Sequence, residues 1–133
     1  MITTTALTYD QVMEKLPGIV ADCLAIDQHD VTPDWVFCEA GDSIDYLDLN
    51  FRCEKTFGVK SPFKLFIGSR DELPLDGEGN FTEDAFRLIQ ETYPFFASKL
   101  IATGQAKFQP KDLLDHVTVD MIARFVLHAG NQL

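Results

Sequence analysis

A chain of 133 residues is long enough for one small domain with a hydrophobic core, and nothing in it suggests two domains. Its formal net charge of −10 argues against nucleic-acid phosphates and anionic membranes as partners and favours basic protein surfaces, although excess acid also simply aids solubility. No apolar run is long enough to insert into a membrane, and no signal-peptide pattern opens the chain. We therefore expect one cytoplasmic, monomeric domain over residues 1–133.

The first predicted helix follows a short polar lead-in. Thr8 and Gln11 have the spacing of a capping box. Apolar residues then recur at helical spacing, namely Val12, Leu16, Ile19, Val20, Cys23 and Leu24. Pro17 has no backbone N–H to donate to the carbonyl of Met13, so we expect a kink there or a break into two short helices.

A loop is predicted for residues 27–37, which are rich in turn residues. Trp35 and Phe37 are its large aromatic side chains, and we expect them to anchor the loop to the core. The loop leads towards a second predicted helix.

The segment Gly41-Asp42-Ser43-Ile44-Asp45 places a serine at the start of this second helix. As the N-cap, Asp42 accepts a hydrogen bond from the backbone N–H of Ile44 or Asp45, and Asp45 reaches back as in a capping box. Ser43 then keeps a free hydroxyl that can serve as an attachment point. A phosphate ester on it would also meet the unpaired N–H groups and the positive dipole end of the helix. The simpler alternative is that Ser43 is an ordinary N-cap.

Residues 43–57 contain neither Gly nor Pro and predict a helix with two apolar stripes. The first stripe consists of Tyr46, Leu49, Cys53 and Phe57. The second consists of Ile44, Leu47 and Phe51 and is bordered by Asp45 and Asp48. A surface helix needs one buried stripe, so the second stripe either packs on another part of the chain or meets a partner. Asp48 and Arg52 are also spaced for an ion pair on this helix.

The three cysteines, Cys23, Cys38 and Cys53, are odd in number and lack C-x-x-C spacing. They therefore indicate neither a disulfide framework nor a zinc site, and they fit a reducing cytoplasm. Cys23 and Cys53 lie on apolar helix stripes, and we expect both thiols to be buried.

At this point the sequence resembles the acyl carrier protein family. Residues 42–45, Asp-Ser-Ile-Asp, are similar to the attachment motif Asp-Ser-Leu-Asp at the start of the family's second helix. Other similar segments occur in the family's order, at 31–34 with Phe37 before the motif, at 54–58 for the helix end Glu-x-x-Phe-Gly, and at 118–126 for the last helix. The resemblance covers roughly residues 8–60 and 111–128.

By that resemblance, Ser43 carries 4′-phosphopantetheine, with Asp42 beside it, and acyl groups travel as thioesters on the thiol of this arm. The implied partners are the phosphopantetheinyl transferase that adds the arm and acyl-transferring or synthase enzymes with basic docking surfaces. We expect the partner face to consist of acids that steer association and an apolar pair that supplies close contact, namely Asp45, Asp48, Leu47 and Phe51. No catalytic residue and no metal are required of the chain.

Residues 61–110 depart from the family, whose connection between the second and last helices is several times shorter. We expect an insertion with an extended stretch at 62–68, turns at 73–80, a helix capped by Thr82 and a short helix from Pro94 that stops at Gly104. Its apolar side chains should pack on the carrier helices, namely Phe86, Ile89, Tyr93, Phe95, Phe96, Leu100 and Ile101. The insertion would then enlarge the space for a long or bulky acyl chain, cover the second stripe, or add a surface for one dedicated enzyme. We favour the dedicated surface over the larger acyl space.

The predicted fold class is all-α, an acyl-carrier-like helical bundle with an inserted helical segment at about 61–110. The favoured function is a specialised acyl carrier in fatty-acid, lipid or polyketide biosynthesis. One alternative is a carrier-shaped interaction or regulatory module that never receives the arm, and another is a small-ligand binder built around the insertion. Residues 76–80 lack the ligand pattern of a calcium loop, and Gly41-x-Ser43 lacks the final glycine of a hydrolase elbow.

Overall fold

The computed structural model describes residues 7–37, 43–60, 62–63 and 74–130. Its helices are α1 (Tyr9–Leu24), α2 (Ser43–Phe57), α3 (Glu83–Thr92), α4 (Pro94–Ala102), α5 (Pro110–Leu114) and α6 (Val119–Gly130), with a 3₁₀ turn at Gln28–Asp30. Within these ranges the chain forms no β-strand, only two isolated bridges. The prediction of an all-α helical bundle is confirmed.

The first helix runs unbroken from Tyr9 to Leu24. The predicted capping box is present, because Thr8 Oγ1 accepts from the Gln11 N–H while the Gln11 side chain accepts from the Thr8 N–H. Pro17 lies inside the helix, so the predicted alternative of a break is wrong. Proline removes one hydrogen bond, but Leu16 and Val20 on either side of it are fully buried, and this packing holds both halves in one element.

Three helices form the core that positions the second helix. α1 packs against both α2 and α6, and α2 also contacts α6. The side chains with no exposed surface include Val12, Leu16 and Val20 of α1, Leu49 and Cys53 of α2, and Ile122, Phe125 and Val126 of α6. Each fully buried aliphatic or aromatic side chain of this kind contributes about 1.5–3 kcal/mol.

The loop before the second helix is fastened to the start of α6. The Phe37 N–H donates to the Val117 carbonyl at 3.0 Å, and the Val119 N–H donates to the Trp35 carbonyl at 3.0 Å. The loop therefore supplies an acceptor for an N–H group at the α6 start that has no partner within the helix. Phe37 is fully buried and Trp35 packs against the core, which confirms the predicted anchoring.

A polar cluster ties the start of α1 to α6. Tyr9 Oη donates to the Asp120 carboxylate, and Arg124 Nε donates to the same carboxylate at 3.1 Å. The Arg124 guanidinium also lies 5.6 Å from the centre of the Tyr9 ring. Partial burial would raise the pKa of Asp120, but the hydrogen bonds from Tyr9 and Arg124 hold this pKa below its ordinary value.

After α2 the chain returns to the core at Pro62 and Phe63, which are both buried. The Phe63 N–H donates to Asn50 Oδ1 at 3.2 Å, and Asn50 is a buried polar residue of α2. Most of the predicted extended stretch at 62–68 lies outside the described residues, as do residues 69–73. The described part begins again at Pro74 with a turn-rich segment, as predicted.

The next two helices begin where the sequence predicted. Thr82 Oγ1 accepts from the Ala85 N–H at 3.2 Å and caps α3, while Pro94 opens α4. Beyond α4, Gly104 has a φ of +75°, a left-handed backbone conformation that glycine adopts readily and that suits the end of a helix. That residues 61–110 form an insertion relative to the family stays a prediction.

The α3–α4 pair packs against α6 through aromatic rings. The ring centres of Tyr93, Phe95 and Phe96 lie 4.9, 5.1 and 5.4 Å from that of Phe125. The prediction that Ile101 is buried is wrong, because 56% of its surface is exposed. Phe96, Ala97 and Leu100 form the inward face of α4, and Ile101 lies about 100° further round the helix from Leu100.

Candidate functional site

The second helix begins at Ser43, where the sequence predicted its start. The predicted N-cap Asp42 and the side chains of Ser43 and Ile44 lie outside the described part of the structure, so the capping arrangement stays a prediction. As the first residue of a 15-residue helix, Ser43 lies at the end where backbone N–H groups lack intrahelical acceptors. This end of a helix favours a negatively charged group.

One stripe of α2 fixes the orientation of the helix in the core. Tyr46 is 1% exposed, and Leu49 and Cys53 are fully buried. The Tyr46 ring lies 4.7 Å from the ring of Phe37, which connects the helix to the loop that precedes it in the chain. The predicted inward stripe is confirmed, and the opposite side of α2 is therefore turned away from the core.

The second stripe of α2 is exposed. Leu47 has 42% and Phe51 has 61% of its surface accessible to solvent. The alternative that another part of the chain buries this stripe is wrong for these two residues. An exposed leucine alone is ordinary, but two large apolar side chains one turn apart form an apolar row that a partner can contact.

Asp48 borders this row and accepts hydrogen bonds from two side chains. Its Oδ2 atom accepts from Arg52 Nε at 3.1 Å, which confirms the predicted ion pair. The same oxygen accepts from the thiol of Cys23 on α1, with 3.5 Å between sulfur and oxygen. The Cys23 thiol also lies 3.5 Å from the backbone oxygen of Asp45. The backbone of Asp45 and the side chain of Asp48 thus both lie beside α1.

The two described cysteines are protonated near neutral pH. Burial, together with the hydrogen bond to Asp48, raises the pKa of Cys23 to about 12. Burial raises the pKa of Cys53 to about 12 as well. Cys53 is fully buried as predicted, whereas Cys23 is only partly buried. The contact from Cys23 to Asp48 could not be predicted from the sequence, because it depends on how α1 crosses α2 and no sequence signal encodes that crossing.

The second helix itself is nearly neutral. Its charged side chains are the acids Asp45, Asp48 and Glu54 and the bases Arg52 and Lys55. The chain as a whole has a net charge of −10, so most of its excess acid lies on other elements. The α2 helix therefore carries charges of both signs beside the exposed Leu47 and Phe51, whereas the predicted partner face of Asp45, Leu47, Asp48 and Phe51 includes only acids among its charged residues.

A shallow groove of about 510 Å³ lies between α3 and residues 104–108. The rings of Phe86 and Phe108 stack in its lining with their centres 5.9 Å apart, and Arg87 and Lys107 also line it. This groove is relevant to the alternative that the chain binds a small ligand.

The turn at 76–80 is organised by the chain itself. Asp76 Oδ1 accepts from the backbone N–H groups of Glu78 and Asn80 at 2.9 and 3.0 Å, and these bonds lower the pKa of Asp76. Over the described ranges, no three acidic, histidine or cysteine side chains are grouped so that they could hold a metal ion.

Among the helices of the described ranges, none combines the length and the hydrophobicity that a membrane span requires.

The core of α1, α2 and α6, with a serine at the first position of α2, defines an acyl-carrier-like helical bundle. The chain is similar to the acyl carrier protein of Thermosynechococcus vestitus, with 36% identity over 58 residues, which is 42% of this chain and 72% of that protein. It is also similar to the acyl carrier protein of Rubrobacter xylanophilus, with 34% identity over 55 residues, which is 40% of this chain and 68% of that protein. The chain belongs to the acyl carrier protein family.

A third similar protein, the acyl carrier protein of Petrotoga mobilis, is 36% identical over 55 residues, which cover 40% of this chain and 65% of that protein. No family model and no solved structure matches the chain. The matched segments cover 40–42% of this chain and 65–72% of these relatives.

Proposed function

We propose that the chain is a specialised acyl carrier protein that holds acyl intermediates as thioesters on a 4′-phosphopantetheine arm attached to Ser43. The observation that carries this proposal is the position of Ser43 at the start of α2 in a chain of the acyl carrier protein family. When bound, the arm supplies the thiol that forms the thioester.

The start of α2 suits a phosphodiester. Its first backbone N–H groups have no acceptor within the helix, and the helix dipole favours the phosphate charge. In the attachment reaction, Ser43 Oγ loses its proton and forms the new bond to phosphorus, while adenosine 3′,5′-bisphosphate leaves coenzyme A. A separate phosphopantetheinyl transferase supplies the catalytic groups for this step, so the carrier needs none of its own. The sequence predicts that Asp42 and Asp45 cap this helix, which would leave the serine hydroxyl free.

The proposed partner face lies one to two turns beyond Ser43. Leu47 and Phe51 supply apolar contact, and Asp45 and Asp48 on the border supply charge. The transferase and the acyl-transferring or synthase enzymes would bind this face in turn. The exposure of both apolar side chains supports the assignment, because a bundle that used α2 only for packing would gain by burying them.

The proposed setting is fatty-acid, lipid or polyketide biosynthesis in the cytoplasm, with the carrier acting as a monomer. The composition of the chain agrees with basic protein partners and not with nucleic acid.

Intact mass spectrometry after incubation with coenzyme A and a broad-specificity transferase tests the proposal. The wild-type chain should gain the mass of one 4′-phosphopantetheine group, and Ser43→Ala should gain none. Ser98→Ala, which removes an exposed serine from α4, is the matched control and should be modified like wild type. An unmodified wild type, or equal modification of Ser43→Ala, contradicts the attachment.

The second candidate function is an interaction or regulatory module that keeps the carrier shape without the arm. The exposed pair Leu47 and Phe51 favours it as the runner-up, because a partner-binding face serves such a module equally well. This candidate takes the place of the first if no transferase modifies the folded wild-type chain.

A further inference from the structure

Two side-chain rows run along the outer side of α2. Leu47 and Phe51 form the first row, one turn apart, and both are exposed. Asp48 and Arg52 form the second row, with 3.1 Å between Arg52 Nε and Asp48 Oδ2. The second row borders α1, because the Cys23 thiol reaches the same oxygen of Asp48. Arg52 follows Phe51 in the chain, so a partner that binds over Phe51 is placed close to the ion pair.

The ion pair changes the electrostatic character of this face. Asp48 is offset by the Arg52 guanidinium on one side and receives a hydrogen bond from Cys23 on the other. The side chains of Arg52 and Asp48 are 43% and 45% exposed, so both charges are accessible to a docking enzyme. The row is dipolar and presents a cation as well as an anion. A uniformly basic surface placed against it would bring like charges together at Arg52, which opposes association.

Arg52 also has binding capacity beyond the ion pair. A guanidinium carries five N–H donors, and the bond from Nε to Asp48 uses one of them. The remaining donors can form the paired hydrogen bonds that arginine makes with a carboxylate. Phe51, the residue before Arg52 in the chain, is the most exposed large apolar side chain in the described part of α2.

We propose that Arg52 is a specificity-determining residue of the α2 face. It selects a partner enzyme that presents a carboxylate opposite the guanidinium and an apolar pocket for Phe51, and it slows association with uniformly basic docking surfaces. This inference rests on the proposed function, since it concerns which enzymes modify or load the carrier.

The first test uses the rate at which a broad-specificity transferase with a basic docking surface modifies the chain. Arg52→Gln should raise kcat/KM by about 3- to 5-fold at low ionic strength, and salt should remove the difference. The matched control is Arg87→Gln on α3, which deletes the same charge from another exposed ion pair, with 3.6 Å between Arg87 Nη1 and Asp84 Oδ1. It should change kcat/KM by less than about 1.5-fold. Unchanged thermal unfolding of Arg52→Gln by circular dichroism shows that the helix is intact.

The second test probes the carboxylate preference directly. Single Lys and Arg residues of the docking surface of the same transferase are replaced by Glu. At least one of these transferase variants should modify the wild-type carrier faster than the Arg52→Gln carrier. This order of rates is the reverse of the order expected with the unaltered transferase.

The outcomes separate this inference from the function on which it rests. Equal rates for wild type, Arg52→Gln and Arg87→Gln overturn the role of Arg52 while the carrier assignment stands. Equal acceleration by both Gln variants attributes the effect to net charge and also overturns it. The absence of any reversal with the Glu variants overturns the carboxylate preference. If neither the wild type nor any variant gains mass, the carrier function itself is contradicted, and this inference fails as well.

Discussion

The α1–α2–α6 core and the α3–α4 pair are stabilised in different ways. The core is built mainly from aliphatic side chains between helices that contact one another directly. The α3–α4 pair is joined to the core by aromatic rings, which meet Phe125 and His128 of α6. The last helix is therefore shared, because it packs in the α1–α2–α6 core and also contacts the α3–α4 pair.

Phe125 is the point where the two regions meet. Its ring is fully buried and lies near the rings of Tyr93, Phe95 and Phe96 from the α3–α4 pair. Phe63, which follows α2, approaches it as well, with 6.3 Å between ring centres. We therefore expect the two regions to unfold together, since each loses packing when the Phe125 ring is removed.

The largest expected effect is that of Phe125→Ala, which should lower the free energy of unfolding by about 3–5 kcal/mol through lost burial and the cavity left behind. Phe51→Ala is the matched control and should change this free energy by less than about 0.5 kcal/mol, because Phe51 is 61% exposed. Urea unfolding measures both. Trp35 is the single tryptophan and reports on the loop beside α6, while far-UV circular dichroism reports on all helices.

If the Trp35 fluorescence and the circular dichroism of the wild type change over the same range of urea concentration, both regions belong to one cooperative domain. An early loss of helix signal while the Trp35 signal stays native would separate the α3–α4 pair from the core. Equal costs for Phe125→Ala and Phe51→Ala would contradict the role of Phe125 as the meeting point.

A smaller effect is expected at Lys99, which ties α4 to the chain before α6. Its Nζ donates to the His116 carbonyl at 3.0 Å and lies 3.5 Å from Thr118 Oγ1. Lys99→Met keeps the length of the side chain but removes the donor, so it should cost about 1–2 kcal/mol in urea unfolding. Lys55→Met, at an exposed position of α2, should cost less than about 0.5 kcal/mol. If both variants lower the free energy of unfolding equally, the hydrogen bond from Lys99 to His116 does not stabilise the packing of α4.

The smallest effect concerns pH at the aromatic contact between the regions. Burial lowers the pKa of His128, whose ring lies 5.2 Å from Tyr93 and 5.7 Å from Phe95. Below the ordinary histidine value of 6.5 the unfolded chain then takes up this proton more readily than the folded one, so stability falls as the pH drops. The loss should stay below about 1 kcal/mol, because His128 is only partly buried.

Thermal unfolding between pH 7.5 and 5.5 measures this dependence, and His128→Gln should make it shallower. The Asp120 pKa is also lowered, but from 3.8, so its stabilising effect is lost only at more acidic pH. A slope that is unchanged in His128→Gln would assign the dependence to other groups.

Local signals explain what could be predicted from the sequence. The Thr8 and Thr82 caps, the proline at the start of α4 and the inward stripe of α2 each depend on residues within one or two helical turns, and the structure confirms all of them. The Asp48–Arg52 pair belongs to the same group.

The remaining features depend on contacts between distant segments. The Cys23 thiol reaches Asp48 only because α1 and α2 pack together, and Lys99 finds its acceptors only after α4 has packed near residues 116–118. The continuity of α1 through Pro17 and the exposure of Ile101 likewise follow from tertiary packing and not from local preference. Whether the α3–α4 segment enlarges the space for an acyl chain or adds a surface for one enzyme stays a prediction.

Acyl loading at Ser43 is the most direct test of the account. The chain is incubated with a transferase and an acyl-coenzyme A, digested, and the peptide that contains Ser43 is analysed by mass spectrometry. The account predicts that this peptide carries one acyl-phosphopantetheine group and that neutral hydroxylamine removes the acyl part, as expected of a thioester. A Ser43 peptide that stays unmodified while the folded protein is fully exposed to active transferase would contradict the claim that this chain is an acyl carrier.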